Sequence, residues 1–184
     1  LSGLPKISQF PGGASNLTYL LEYPEQEFVL RRPPFGHKAK SAHDMGREFR
    51  ILNQLRDGFP YCPKAYVHCT DESVIGAEFY VMERVNGIIL RSDLPPELGL
   101  DSAKTEALCK SFIDKFVELH RVDYKAYGLG DLGKPEGYVA RQIKGWSERY
   151  EKALTPDAPK WEAVKAWLND KMPADHPTSS IVHN

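Results

Sequence analysis

Long apolar runs are missing from this sequence of 184 residues. None approaches the ~18 consecutive apolar residues of a membrane-spanning helix, and residues 1–13 are too short and too broken by Pro and Gly to read as a secretory leader. Net charge is missing too. Lys plus Arg number 24 and Asp plus Glu 25, for a formal charge of −1. No long-range field therefore favours nucleic acid or an anionic membrane, and any phosphate site has to be local. Cysteine is scarce: Cys62, Cys69 and Cys109 are an odd set without metal-ligand spacing, as expected of reduced thiols in a cytoplasmic compartment. Repeats and low-complexity tracts are absent. What remains is a chain long enough for one ordinary core or two small lobes sharing an interface.

The first half carries strand signals. Residues 17–23 and 28–32 are short apolar or aromatic runs, and Pro24-Glu25-Gln26 between them is a hairpin-length connection. Residues 65–70 and 77–85 are two further strands. Between the pairs, Met45, Phe49, Leu52 and Leu55 recur at helical spacing, predicting a helix over 41–56 with Ser41 as its N-cap. After Asn86-Gly87 the chain turns helical. The segments 102–121, capped by Asp101, 137–152 and 159–171 each carry an apolar stripe. The order predicts an α+β fold: a small five-stranded sheet with one inserted helix, a hinge, then a helical lobe.

Chemistry concentrates in the sheet half. In Gly12-Gly13-Ala14-Ser15-Asn16 the glycines allow close backbone approach to an anion. Consecutive N–H groups, the Ser15 hydroxyl and the Asn16 amide can donate to it. The same pair also suits a plain turn. It is no Walker loop, since no Gly-Lys-Ser/Thr follows and a strand comes next. Strand alternation sets Val29 and Arg31 on one face, which suits a base against Val29 and phosphates against Arg31; an edge charge facing water is the simpler alternative. Glu48 lies at the margin of its helix's apolar face, where it can reach Arg31 in bidentate geometry or sit as a solvated charge. Glu83 ends an apolar strand and His183 follows Ile181-Val182; neither position assigns a role by itself.

Taken in order, Phe10 to Tyr19, Phe28-Val29-Leu30-Arg31-Arg32-Pro33-Pro34, Arg47-Glu48-Phe49-Arg50-Ile51-Leu52, Phe79 to Gly87, Leu119-His120-Arg121-Val122-Asp123-Tyr124, Gly128-Leu129-Gly130, Arg141-Gln142 and Ile181-Val182-His183-Asn184 resemble the aminoglycoside phosphotransferase family, small-molecule relatives of the protein kinases. The Leu-Arg-Arg-Pro-Pro and Arg-Gln pieces are similar to the branch found alone in bacteria and fused to acyl-CoA dehydrogenases in animals.

The resemblance implies a protein-kinase-like two-lobed fold, with an N-lobe over residues 1–86 and an incomplete C-lobe over 87–184. It implies a nucleotide site in which Gly12, Gly13 and Ser15 line the phosphate loop and Arg31 stands where the family usually has lysine. Glu48 would be the helix partner of Arg31 and Met82 the back of the adenine pocket. The Glu83 C=O and Val85 N–H would meet the adenine edge. His183 would open the His-x-Asp catalytic loop, and Arg141 and Gln142 would be substrate-side positions. The catalytic Asp and the Mg²⁺ ligands are expected beyond residue 184, so the chain as given is expected to lack phosphotransfer, and an uncovered surface is expected near Asn184. The implied activity is transfer of the γ-phosphoryl of ATP or GTP, with Mg²⁺, to a hydroxyl of a small molecule such as a hydroxyacyl-CoA. A nucleotide-binding pseudokinase and a non-catalytic interaction domain are the alternatives. The expected partners are nucleotide and small acceptor, with neither nucleic acid nor membrane.

Overall fold

Antiparallel pairing of short apolar runs builds the first half of the chain. The computed structural model describes residues 1–11, 16–36, 43–90, 93–176 and 178–181. Its strands are β1 (Lys6–Gln9), β2 (Leu17–Glu22), β3 (Glu27–Arg32), β4 (Ala65–Cys69) and β5 (Phe79–Glu83). They form one sheet in the order β1-β2-β3-β5-β4, with every neighbouring pair antiparallel. β3 is therefore central, which is why its Phe28 and Val29 are both buried. β1 is an edge strand exposed along its whole length. It has no alternation to announce it, and it holds its place through the ladder to β2.

Helix α1 (Met45–Leu55) starts four residues after the expected cap. Asp44 supplies the cap instead, accepting from the Arg47 N–H at 2.8 Å; Ser41 lies outside the described residues. One N-cap of this kind contributes about 1 kcal/mol. The remaining helices are α2 (Ser102–His120), capped by Asp101 as expected, α3 (Tyr138–Ala153) and α4 (Glu162–Asp170), with a short helical turn at Pro96–Leu98. Trp161 adopts a left-handed backbone as the residue before α4, so it stands off the helix on which its spacing had set it.

The best-buried cluster joins the two halves. Leu55 from α1, Leu119 from α2 and Leu129 from the following loop pack together, with Ile51, Phe59, Val122, Tyr124 and Ile181 around them. Each such side chain withdraws apolar surface worth roughly 1.5–3 kcal/mol. Away from it the helical half is open: Phe112, Trp146 and Trp167 are 66%, 62% and 60% exposed. Among the described residues no helix is long and apolar enough to cross a membrane.

Candidate functional site

Helix α1 packs against β4 and β5, and polar side chains from β3, β5 and the residue before β2 meet at its Glu48. Arg31 Nε donates to Glu48 Oε2 at 3.0 Å and its Nη2 to Oε1 at 3.4 Å. Both side chains are about one-third exposed, at 29% and 32%. The register of β3 with β5 sets Tyr80 directly opposite Arg31, and its hydroxyl donates to Glu48 Oε2 at 2.9 Å. Asn16 Nδ2 donates to Oε1 at 2.8 Å. One carboxylate thus collects a cation, a phenol and an amide. Tyr80 is almost fully buried. That burial, followed by the Glu48 charge, pushes its phenol well above the usual tyrosine range, against the smaller opposing effect of Arg31.

This clustering follows from local geometry. Arg31 alternates with Val29 onto the face that α1 covers, and Val29 pairs with Met82 on β5. The face thus carries Val29, Arg31, Tyr80 and Met82 together. Glu48, in the first turn of α1, reaches that face through its contacts to Arg31 and Tyr80. Arg31 spends Nε and one Nη2 hydrogen on Glu48, and its Nη1 has only a long 3.5 Å contact to the Thr18 hydroxyl. Among the described residues, this leaves donors of a rigid, fixed-charge fork for an anion.

Gly12, Gly13 and Ser15 lie outside the described residues, but both flanks of that segment are described. The Phe10 N–H donates to the Thr18 carbonyl at 3.0 Å, closing the ends of β1 and β2 on each other. Asn16, expected to donate to a bound anion, gives its amide to Glu48 instead, and its Oδ1 lies 2.6 Å from His43 Nδ1. Phe10 also stacks under the Arg84 guanidinium at 5.4 Å, which brings the entrance of the glycine segment beside the end of β5.

The other sequence-derived positions are dispersed. The Glu83 carboxylate accepts from Arg56 Nη1 at 3.2 Å and from the Lys64 N–H at 2.9 Å, an ion pair and turn clamp in place of a solvent-facing charge. Val85 is exposed, and its carbonyl accepts from Arg84 Nη1. Arg141 folds back onto the carbonyls of Lys134 and Glu136, while Gln142 Oε1 accepts from the Trp146 indole at 3.1 Å. Among the described residues, neither is joined by a hydrogen bond to the Glu48 cluster. His183 lies outside the described residues. Asn16, Tyr80 and His43 are the members of the cluster that sequence reasoning did not put there. A Tyr directly across the ladder from Arg31 becomes visible only once the β3–β5 register is known.

The chain and its fold have counterparts among known proteins. The chain is 35% identical to acyl-CoA dehydrogenase family member 11 of Gallus gallus over 183 residues, which is 99% of this chain and 23% of that protein. It is 35% identical to the Homo sapiens member 11 over 96% of this chain and 22% of that protein. Mouse family member 10 is 34% identical over 99% of this chain and 17% of its own length. The chain therefore spans about a quarter or less of these curated relatives. A solved protein of Ralstonia eutropha JMP134, described provisionally as an aminoglycoside phosphotransferase, superposes with a TM-score of 0.75 at 35% identity, covering 95% of this chain and 51% of that one. The kinase-like α+β fold is common to both. The profile of the phosphotransferase enzyme family (APH) matches residues 6–184, and the chain belongs to that family.

Proposed function

We propose that this chain is the nucleotide-binding part of a phosphotransferase that moves the γ-phosphoryl group of ATP, or GTP, to a hydroxyl of a small molecule. The observation that carries the proposal is the Arg31–Glu48 pair at 3.0 Å, buttressed by Tyr80 and Asn16, with donors of Arg31 left over. Phosphoryl transfer depends chiefly on positioning and charge neutralisation, and a guanidinium held by a three-donor carboxylate is such a fixed charge. In this reading Arg31 meets the phosphates, Val29 and Met82 flank the base, and the Glu83 C=O and Val85 N–H bind its edge. Gly12, Gly13 and Ser15 supply N–H and hydroxyl donors to the phosphates, and His183 opens the catalytic loop. Residues 1–86 act as the N-lobe and 87–184 as part of the C-lobe, with Arg141 and Gln142 on the acceptor side. Mg²⁺ is the family's usual companion to the nucleotide. In this reading its ligands lie beyond residue 184, and no step is assigned to it here.

The curated relatives bear the name acyl-CoA dehydrogenase, which supports an acceptor carrying both a hydroxyl and an acyl-CoA group. A cytoplasmic setting, with no nucleic acid or membrane partner, agrees with the three free thiols and the near-zero net charge. The test is transfer of γ-labelled phosphate by the full-length protein to a panel of hydroxyacyl-CoAs, together with equilibrium nucleotide binding. Labelled product from the wild type and its loss, with weakened nucleotide binding, in Arg31→Ala are expected. Nucleotide binding without product on any acceptor would mean a pseudokinase, and no nucleotide binding at all would overturn the proposal.

A further inference from the structure

The face of α1 that turns away from Arg31 carries a second arginine fork. Arg50 Nη1 and Nη2 donate to the two carboxylate oxygens of Asp131 at 2.9 and 2.5 Å, and Nη2 also donates to the Gly128 carbonyl at 2.6 Å. Its Nε donates to Gln54 Oε1 at 3.1 Å, and one turn earlier Arg47 Nη2 reaches the Leu132 carbonyl at 3.4 Å. As a source of stability this pair is slight, because the Arg50 and Asp131 side chains are 39% and 68% exposed and exposed ion pairs contribute little. Its geometry says more than its strength. Four of five guanidinium hydrogens are spent in a planar fork, which specifies orientation as well as attraction.

The anchor on the far side is stiff. Leu129 is fully buried in the shared core, and its N–H donates to the Tyr124 carbonyl at 2.8 Å. Gly128 holds a left-handed backbone at φ 69°, and a Cβ there would stand 3.3 Å from Gln54 Nε2. On the near side, Arg50 and Glu48 are two residues apart on one continuous helix, so whatever fixes Arg50 fixes the rotation of α1 at Glu48. The contacts of Glu48 to Asn16, Tyr80 and Arg31 are 2.8–3.0 Å long, and a slip of about 1 Å would break them.

We propose that Arg50 is a positioning residue: clasped to Asp131 and the Gly128 carbonyl, it locks α1 to the helical lobe and so holds Glu48 beneath Arg31. The proposal rests on the nucleotide-site reading for its consequence in binding, though not for its consequence in structure. Two readouts on the full-length protein test it. In the first, Arg50→Ala and Asp131→Asn each raise the nucleotide dissociation constant about 3- to 30-fold while leaving the melting temperature nearly unchanged. The charge-swapped pair Arg50→Asp/Asp131→Arg recovers most of the loss. In the second, 3-fluorotyrosine incorporated at Tyr80, whose hydroxyl lies on Glu48, reports that contact by fluorine NMR. One sharp line in the wild type should shift or split in each single variant and return in the swapped pair. Wild-type-like nucleotide affinity in both single variants, or an undisturbed fluorine line in them, overturns the proposal. A wild type that binds no nucleotide sinks the nucleotide reading alone, and the fluorine line still decides the role of Arg50.

Discussion

Glu48 accepts from Arg31, Asn16 and Tyr80 at once, so a neutral amide cannot replace it: one of its ends would turn a donor toward donors. Hydrogen bonds to charged groups contribute about 1.5–3 kcal/mol each. Glu48→Gln is therefore expected to weaken nucleotide binding by about 10- to 100-fold, measured by calorimetry, with a smaller effect on folding. Tyr80 offers a separate check. Its phenol is held above the ordinary value of 10 by burial and then by Glu48, so the folded state keeps the proton where the unfolded chain releases it. The stability this contributes is whole below pH ~10 and drains away as the pH climbs toward the raised folded value. In a phenolate absorbance titration, one of the nine tyrosines should ionise far later than the rest, and Tyr80→Phe should remove that late step. Arg31 and Glu48 were legible in the sequence because strand alternation and helix spacing are local. Tyr80 and Asn16 were not, because their partner is chosen by sheet register and by a helix more than thirty residues away.

Helix α1 is built as a bridge more than as a part of the sheet. Its first turn points Glu48 at β3, while its last turn buries Leu55 against Leu119 and Leu129. Gly58, just past its end, faces the Tyr127 ring so closely that a Cβ would lie 2.4, 2.7 and 3.0 Å from three ring atoms. Gly58→Ala must therefore push the ring or the helix aside, at about 1–3 kcal/mol for overpacking. A melting temperature lower by about 2–10 °C is expected, and in Gly58→Ala/Tyr127→Ala the penalty should fall below the sum of the single changes. Most elements could be read from the chain because periodicity and turn residues marked them. The start of α1 could not, since Ser41 and Asp44 are both good caps and only the packing of Met45, which is fully buried, selects Asp44. β1 was hidden for the opposite reason: with all four residues exposed, no apolar rhythm records it.

At the scale of the whole molecule, the two halves share a small core and leave a wide apolar surface. The apolar stripes of α2, α3 and α4 were plain in the sequence, but periodicity says which side of a helix is apolar and not what lies against it. Leu129, the most buried residue of the shared core, belongs to a Gly-Leu-Gly loop and to no stripe at all. Meanwhile α3 and α4 pair with each other at their apolar sides, and an open groove of about 620 Å³ between them is lined by Ile143, Trp146, Tyr150, Trp161, Val164 and Leu168. Its optical signature follows from exposure. All three tryptophans of the sequence are in the helical half, and Trp146, Trp161 and Trp167 are 62%, 56% and 60% exposed. Contiguous exposed apolar area of this kind drives association. The 184-residue chain on its own should therefore emit at long wavelength, be strongly quenched by acrylamide and bind an apolar dye. It should also associate as concentration rises, with Trp146→Ser/Trp167→Ser reducing the association. Blue-shifted, unquenchable emission from a monomer would show that these side chains are covered by the chain itself, and that α3 and α4 pack differently from the arrangement described.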